Sequence, residues 1–508
     1  MVGGEQRGLR AVVVAVDQGT SATKAVVVDE AGEILGRASV RVGRSDPRPG
    51  WVEQDPAEIR DSVVTAITTA LDTVPGVEVR GLGLTNQRES ALIWDRQTGE
   101  PLGPMLGWQD RRTAGRVATL RERGWDTRIR ASTGLPVDPM FSALKLGWLL
   151  DEIDPTREQA RSGQLAVGTV DSWLLFSLTG EHRIEAGNAG RTQLLNLDRF
   201  RWDDELLELF DIPAACLPEI VPSGAASAPI TGVPGLPAGV RVHGVLGDSH
   251  AALYAHGVRG PGQVKVTHGS GSSVMGLSGS ASAGAVPDPA DGGVVRTLAW
   301  ADPEPVFAVE GTILSTGATV LWLAKLLDSD PARLAALAAG TGTAHGVNLV
   351  PAFAGLGAPW WDEQAVATVS GFGLGTSAAD LARAAFESIA LQTEDLLAAV
   401  ETRVGTPVDT VLADGGPAQN DWLMQTQADL SRRHLLRSNI AELSATGAAH
   451  LAGLGCGLWT ADECLDMPRD RTAFEPALDA ETAAERRRSW RDAVARSRFR
   501  PAPQEESP

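Results

Sequence analysis

The chain has 508 residues, 43% of them hydrophobic and 21% charged, and it is long enough for two domains with separate cores. Its formal net charge of -19, from 64 acidic and 45 basic side chains, argues against a nucleic-acid partner, which would need a cationic face to neutralise phosphates. This charge does not exclude ATP, because a metal ion and a few local amides neutralise a nucleotide.

Cysteine usage and hydropathy bear on the cellular compartment. The three cysteines, Cys216, Cys456 and Cys464, have no metal-ligand spacing, and we interpret them as thiols of a reducing cytoplasm. No run approaches the roughly 20 apolar residues that a membrane helix needs. The first apolar run, residues 11–16, ends at Asp17 and is too short for a signal peptide. We therefore expect a cytoplasmic protein with no membrane partner.

The N-terminal elements predict a small sheet followed by a helix and a further strand. Three strands are predicted at residues 11–16, 24–29 and 34–42, with polar turns between them. A helix is predicted from Pro56 to residue 71, with Asp55 as its cap. The next strand, residues 77–84, ends in the polar loop 85–90.

The second half repeats this order of elements. A strand at residues 263–267 enters a turn rich in glycine and serine, a helix capped by Ser377 and Asp380 extends to about residue 400, and a strand at 406–413 follows. This pattern predicts a duplicated architecture without residue identity. We expect an N-terminal domain at 9–254, a C-terminal domain at 255–498 and a disordered tail at 499–508.

Two glycine-containing turns are candidates for phosphate binding. No GxxxxGK[ST] occurs, and no GxGxxG follows a strand, which argues against Walker-type and dinucleotide-binding sites. The turns at residues 17–21 and 269–273 instead combine glycine with hydroxyl side chains, so their backbone N–H groups and hydroxyls can face an anion. For either turn taken alone, a tight β-turn without a ligand is the better explanation.

Two carboxylates follow predicted strands. Asp17 fits an Mg²⁺ anchor, although an aspartate that bonds its own turn is the alternative. Asp248 fits a general base that takes the proton of a hydroxyl as its bond to phosphorus forms. His250 is a rival base, and we favour Asp248. Lys24 fits either a phosphate contact or a solvated strand lysine.

Arg88 and Glu89 end another predicted strand. An arginine fork that donates and a carboxylate that accepts can hold two adjacent hydroxyls, but a surface salt bridge is the alternative. The residue types alone do not decide between the two.

Ordered motifs from about residue 12 to 499 resemble the FGGY carbohydrate kinases and, within them, the glycerol kinases. The resembling segments are 17–21, 50–56, 85–89, 108–113, 247–248, 355–362, 414–416 and 447–449. The resemblance implies an α/β fold of two ribonuclease-H-like domains of the actin and hexokinase superfamily, with an interdomain cleft. It also implies transfer of a phosphoryl group from Mg-ATP to a hydroxyl of a small polyol or sugar, the acceptor lying mainly on the first domain and ATP mainly on the second.

The resemblance further implies roles for individual residues. Asp248 is the expected general base, and the expected acceptor-binding residues are Arg88, Glu89, Trp108, Met140, Asp248 and Ser249. The expected nucleotide-binding residues are Thr20, Ser21, Lys24, Ser270, Gly317, Gly416 and Asn420, with Asp17 as the metal-associated carboxylate. Leu321 replaces a glutamine common in glycerol kinases and has no polar group to make the corresponding contact with the nucleotide.

Three departures from the glycerol kinases bear on the acceptor. Met140 stands where they usually have a tyrosine, Ser249 replaces the glutamine after the base, and Ser273 replaces an aromatic residue. A lost buried hydrogen bond is typically worth about 1 kcal/mol. Glycerol and a longer polyol or ketose therefore both remain open as acceptors.

Two other functions are disfavoured. An ATP-dependent structural or chaperone-like switch would need an added domain or assembly surface, for which no segment is left over. A catalytically dead sugar sensor does not explain why Asp17, Asp248 and both phosphate turns are intact. A homo-oligomer such as a dimer is compatible with the family, although no segment identifies an interface.

Overall fold

A computed structural model describes residues 9–279 and 293–500. Most of the tail predicted to be disordered, residues 501–508, lies outside the described residues. In chain order the strands are β1 (Arg10–Gln18), β2 (Ala22–Asp29), β3 (Ile34–Arg41), β4 (Glu53–Gln54), β5 (Val77–Asn86), β6 (Leu92–Asp95), β7 (Met105–Leu106), β8 (Leu165–Gly168), β9 (Arg183–Glu185), β10 (Leu195–Asn196), β11 (Arg201–Trp202), β12 (Glu219–Val221), β13 (Val242–Gly247), β14 (Gln263–His268), β15 (Ser272–Leu277), β16 (Val295–Ala301), β17 (Pro305–Ile313), β18 (Asn348–Val350), β19 (Thr368–Ser370), β20 (Thr410–Gly415), β21 (His434–Ser438) and β22 (Arg471–Phe474).

Helices alternate with these strands along most of the chain. They are α1 (Pro56–Asp72), α2 (Ala114–Glu122), α3 (Trp125–Thr133), α4 (Ser142–Ile153), α5 (Glu158–Arg161), α6 (Val170–Thr179), α7 (Ala186–Ala189), α8 (Asp204–Phe210), α9 (Asp248–Ala255), α10 (Gly317–Leu326), α11 (Pro331–Gly340), α12 (Ala378–Val404), α13 (Asp421–Ser431), α14 (Leu443–Gly455), α15 (Ala461–Asp466) and α16 (Ala480–Ser497). Among the helices that the structure describes, none has the length and apolar character to cross a bilayer.

Two large mixed sheets share one connection pattern. The first sheet has the order β13-β5-β1-β2-β3, with β1, β5 and β13 parallel and β2 and β3 antiparallel to their neighbours. The second has the order β16-β17-β15-β14-β20-β21-β22, in which β14, β20 and β21 are parallel and β14, β15 and β17 form an antiparallel series. The predicted architectural repeat is confirmed.

The apolar run of β1 is buried on both faces. Val12, Val14 and Val16 pack in a core cluster with Ile59 and Val63 of α1. The opposite face, which includes Val13 and Ala15, packs in a cluster with α14, which comes almost at the end of the chain. A strand covered on both faces needs a continuous rather than an alternating apolar run, as residues 11–16 have.

Helices α9 and α14 cross closely between the two sheets. A Cβ atom on Gly447 of α14 would lie 1.9 Å from the carbonyl oxygen of Ala251 in α9, and one on Gly83 of β5 would lie 2.3 Å from that of Ala448. Only glycine permits this approach at the two positions. On its other side, α9 packs Leu253 with Met275 and Leu412 of the second sheet.

The parallel strands end in register at one edge of each sheet. Asp17 of β1 pairs with Thr85 of β5, and Gly247 of β13 pairs with Asn86. In the second sheet Thr267 of β14 pairs with Asp414 of β20. Because ligands of open α/β sheets bind beyond the carboxyl ends of parallel strands, both edges are candidates for a functional site.

Candidate active site

Asp248 is the first residue of α9 and follows directly on β13. Its side chain is 43% exposed, its Oδ1 lies 3.3 Å from Nε of Arg88, and it accepts a 2.6 Å hydrogen bond from the backbone N–H of Ser249. Loss of hydration raises the pKa of this carboxyl above its usual value, and the nearby Arg88 opposes the rise. The carboxylate is thus held in place yet accessible, with increased basicity.

Arg88 and Glu89 lie together at the end of β5, each with its own partner. The two terminal nitrogens of Arg88 donate to the two carboxylate oxygens of Glu310, at 2.7 and 3.1 Å. Glu89 accepts from Nε of Arg191 at 2.5 Å, and its backbone oxygen accepts from Lys145 at 3.1 Å. The Arg88 side chain is only 10% exposed and the other side chains are buried, so a surface salt bridge between Arg88 and Glu89 is excluded.

A cavity of about 200 Å³ adjoins the charge partners of this pair, but neither Arg88 nor Glu89 lines it. Trp108, Met140, Phe141, Arg191 and Glu310 are among its lining residues. The Trp108 side chain is half-exposed, and its indole N–H donates to the hydroxyl of Thr20 at 3.1 Å. A flat apolar face beside buried charged groups suits a short carbon chain that carries hydroxyls.

A chain of polar side chains lies beside Asp248 and leads from Lys265 through two serines to Glu310. Nζ of the buried Lys265 donates to the hydroxyl of Ser249 at 2.7 Å, and that hydroxyl lies 3.4 Å from the hydroxyl of Ser273. Ser273 in turn lies 3.3 Å from Oε1 of Glu310. Both serines are only partly buried.

A second cavity, of about 740 Å³, lies beyond the carboxyl edge of the second sheet. It brings together four of the predicted nucleotide-binding residues, Ser270, Gly317, Gly416 and Asn420, and Leu321 also lines it. Apolar side chains such as Val320, Phe386 and Ile389 complete its walls. An apolar slot next to glycine turns is suited to a purine base with its phosphates.

The remaining predicted nucleotide residues lie on the first sheet. Thr20 and Ser21 form the turn between β1 and β2, where Ser21 is exposed. Lys24 is the cross-strand neighbour of Asp17. These residues do not line the 740 Å³ cavity, so a bound polyphosphate would have to extend from the second sheet to reach them.

Asp17 fits a divalent cation. Its Oδ1 is buried and has no hydrogen-bond partner within residues 9–279 and 293–500. Burial and the nearby Asp248 raise the pKa of Asp17 to about 7, against the lowering effect of Lys24. Magnesium is commonly held by one or two carboxylates together with phosphate oxygens and waters. The described residues contain no cluster of three or more acidic, histidine or cysteine ligands, so a cation here would depend on phosphate oxygens and water.

His250, the rival base, lies on the buried side of α9. Burial and the charge of Arg88 hold its pKa well below 6.5, so the ring is neutral at physiological pH. Its Nε2 lies 3.4 Å from Nη1 of Arg88. A neutral, enclosed ring that faces a guanidinium is poorly placed to receive a proton from a ligand hydroxyl.

Sequence reasoning missed four charged residues of this site: Lys145, Arg191, Lys265 and Glu310. A single carboxylate in the otherwise apolar strand 305–313 was a usable signal for Glu310, since a buried charge requires a partner. Lys265 gave a weaker signal, because it lies between two valines of the otherwise mostly polar strand β14. Arg191 lies after the short helix α7 and had no comparable signal.

Comparison with known proteins identifies the class to which this fold and site belong. Residues 12–255 match the N-terminal domain, and residues 264–456 the C-terminal domain, of the FGGY family of carbohydrate kinases. The chain belongs to this family. It is an ATP-dependent kinase of a sugar or polyol, with the two-domain fold of the actin and hexokinase superfamily, as the sequence motifs predicted.

Individual relatives span almost the whole chain. A glycerol kinase of Aromatoleum aromaticum is 43% identical over 498 residues, which cover 96% of this chain and 98% of the relative. An apulose kinase of Pectobacterium atrosepticum is 41% identical over 496 residues, covering 96% and 99%. The crystal structure of Plasmodium falciparum glycerol kinase with ADP superposes with a TM-score of 0.90 at 27% identity, covering 98% of this chain and all of that one.

The end of β5 is supported by a buried carboxylate, Glu185. Its oxygens accept hydrogen bonds from Gly187 N, Asn188 N and the hydroxyl of Ser223. Asn188 in turn contacts Asn86, two residues before Arg88. Burial raises the pKa of Glu185 to about 7, against the lowering effect of these hydrogen bonds.

This raised pKa predicts a pH dependence of stability. The folded state holds the Glu185 proton more tightly than the unfolded state, so this contribution is full below about pH 4.5 and is lost as pH rises through 7. Between pH 5 and 8 we expect wild type to lose on the order of 1–3 kcal/mol more than Glu185→Gln. Urea denaturation of both proteins measures the difference, with Glu205→Gln, whose side chain is 42% exposed, as control. Parallel curves for wild type and Glu185→Gln would contradict the assignment.

Proposed function

We propose that this kinase phosphorylates a hydroxyl of a small polyol or sugar bound beside Arg88 and Glu89, with Asp248 as the general base. One observation carries the proposal: Asp248 is accessible at the carboxyl edge of the first sheet, within 3.3 Å of an acceptor-site arginine. The ADP-bound glycerol kinase relative supports ATP as the phosphoryl donor. An acceptor-dependent ADP-release assay tests it, and no ADP release with any polyol or ketose would refute it.

In the proposed reaction Asp248 first orients the acceptor hydroxyl by accepting its hydrogen bond. An aspartate is far too weak a base to ionise an alcohol in the ground state. It takes the proton as the oxygen–phosphorus bond forms and the bond to ADP breaks. Arg88 holds the carboxylate of Asp248 in place, and the raised pKa makes this carboxylate a stronger proton acceptor.

The same geometry supports a site for the nucleotide and a site for the metal ion. The 740 Å³ cavity would hold the base and sugar of ATP, with Ser270, Gly317, Gly416 and Asn420 around it. Thr20, Ser21 and Lys24 would approach the terminal phosphates from the first sheet. Asp17 would hold Mg²⁺, which neutralises phosphate charge when bound. The cytoplasmic location and a dimeric state remain predictions.

A longer polyol or a ketose is a second candidate for the acceptor. Ser249 and Ser273 stand where the glycerol kinases have larger side chains. Their two hydroxyls lie next to each other beside Asp248. An additional oxygen of a larger acceptor would find two hydroxyl partners there. The similarity to an apulose kinase, nearly equal to that with a glycerol kinase, supports an acceptor other than glycerol.

The two acceptors make different predictions for Ser249→Ala. If a longer acceptor bonds to the hydroxyls of Ser249 and Ser273, the variant lowers kcat/KM for that acceptor about tenfold, because one hydrogen bond to a polarised hydroxyl is lost. Turnover of glycerol should change little. Steady-state kinetics with glycerol, tetritols, pentitols and ketopentoses measures this, with Ser388→Ala in the buried face of α12 as control. Equal losses for glycerol and the longer acceptors would contradict the larger acceptor and leave the kinase proposal standing.

A further inference from the structure

Glu310 is a carboxylate of the second sheet that reaches the acceptor site on the first. It lies in β17, between Val309 and Gly311, and it is only 4% exposed. Its strand neighbours Met275 and Val295 are apolar, and the contact that its carboxylate makes on the adjacent strand is with a neutral hydroxyl, that of Ser273 at 3.3 Å. Burial of a carboxylate costs solvation free energy, which only paired charges and hydrogen bonds offset.

Two arginines from the first half of the chain form ion pairs with Glu310. Arg88 binds both oxygens of Glu310, at 2.7 and 3.1 Å, and Nη1 of Arg191 lies 2.9 Å from Oε2. The side chains of all three residues are at most 10% exposed. Burial alone would raise the pKa of Glu310, but Arg191 and Arg88 outweigh it and hold the pKa well below the usual range. Glu310 is therefore ionised whenever the two arginines are in place.

Each arginine links Glu310 to a different functional group. Arg191 donates to Glu89 at 2.5 Å, and Nε of Arg88 lies 3.3 Å from Asp248. One carboxylate of the second sheet thus fixes the acceptor-binding glutamate through one guanidinium and the base through the other. The planar, forked guanidinium transmits orientation because its hydrogen bonds have fixed directions.

We propose that Glu310 is a positioning residue that assembles the acceptor site from both halves of the chain. The inference rests on the proposed function, since it assumes that Arg88, Glu89 and Asp248 receive the acceptor. Without Glu310 the two guanidiniums lose their shared anion, and Arg88 and Arg191 are free to turn towards Asp248 and Glu89. The acceptor pocket then loses its geometry, while the nucleotide cavity keeps all of its lining residues.

The test is Glu310→Gln, which keeps the size of the side chain and removes its charge. Truncating one partner of a buried charge pair typically costs a factor of about thirty or more in binding. We expect the acceptor KM to rise by at least that factor, with a smaller fall in kcat and with the Kd for a non-hydrolysable ATP analogue unchanged within about twofold. Steady-state kinetics and calorimetry of the full chain provide these numbers.

Glu387→Gln is the matched control. Glu387 is a buried carboxylate of α12 that also pairs with two arginines, Arg383 at 2.7 Å and Arg486 at 2.5 Å. It does not line the acceptor cavity. Glu387→Gln should lower the melting temperature and leave the acceptor KM unchanged, which separates positioning from a general loss of stability. If Glu310→Gln does not fold, Glu310→Asp, whose shorter carboxylate cannot hold both arginines in the same way, is used with the same criteria.

An unchanged acceptor KM in Glu310→Gln or Glu310→Asp would overturn the inference. So would an equal loss of acceptor and ATP-analogue binding, or the same rise in acceptor KM in Glu387→Gln. A wild-type protein without acceptor-dependent ADP release would instead refute the proposed function. The two failures are therefore distinguishable.

Discussion

Replacement of Asp248 by asparagine is expected to lower kcat by about 10³-fold, the range that a general base contributes. Asparagine keeps the size of the side chain and its oxygen can still accept from the backbone N–H of Ser249, but it cannot take the acceptor proton. Binding of the nucleotide should persist, because Asp248 does not line the 740 Å³ cavity. Single-turnover ADP formation and calorimetric titration with ADP measure the two quantities.

His250→Gln is the informative companion to this variant. The neutral, buried His250 has no proton-accepting role in the proposed reaction, so its replacement should cost far less in kcat than that of Asp248. Turnover of Asp248→Asn close to that of wild type would remove Asp248 as the base. A larger loss in His250→Gln than in Asp248→Asn would transfer the role to the histidine.

The second large effect is expected at Asp17. Asp17→Asn removes the carboxylate that fits the metal, and we expect kcat/KM for Mg-ATP to fall by about 10²-fold or more, since a metal contact to the transferring phosphoryl group is worth several kcal/mol. In wild type, the proton on Asp17, with its pKa of about 7, competes with Mg²⁺. The Mg²⁺ concentration for half-maximal rate should therefore rise as pH falls from 8 to 6.

This dependence on pH should be absent in Asp17→Asn. Asp29→Asn is the matched control, because Asp29 is also on the first sheet but is held by Arg10 and by turn N–H groups away from the active-site edge. It should lose stability and keep the Mg²⁺ response of wild type. A half-maximal Mg²⁺ concentration that is constant from pH 6 to 8 in wild type would contradict the assignment of Asp17.

The sequence predicted those parts of the fold whose signals are local. The continuous apolar run 11–16 and the cap at Asp55 with Pro56 are enough to define β1 and α1, because strand burial and helix initiation depend on neighbouring residues. Asp17 and Asp248 were found for the same reason, since Asp17 is the second-last residue of β1 and Asp248 follows β13 directly. The strand predicted at 406–413 begins instead at Thr410. Pro407 has no N–H, and the N–H of Val408 bonds to the side chain of Glu401 rather than to a strand.

The rest of the site depends on contacts between distant segments. Arg88 and Glu310 are 222 residues apart in sequence, and no local pattern joins them. The charge of Arg88 was visible in the sequence, but its partner was not, so the residue types could not decide between a surface salt bridge and an acceptor site. The roles in catalysis that the family resemblance implied remain predictions for the experiments above.

The crossing of α9 and α14 means that neither half of the chain supplies all of its own apolar cover. α14, from the end of the chain, shields Val13, Ala15, Val26 and Val28 of the first sheet, while α9 packs against Met275 and Leu412 of the second. A polypeptide cut between α9 and β14 would leave an apolar sheet face exposed on its first fragment. Neither fragment would then fold without the other. A gene duplication or fusion that preserves a folded protein would therefore have to include both halves of the chain.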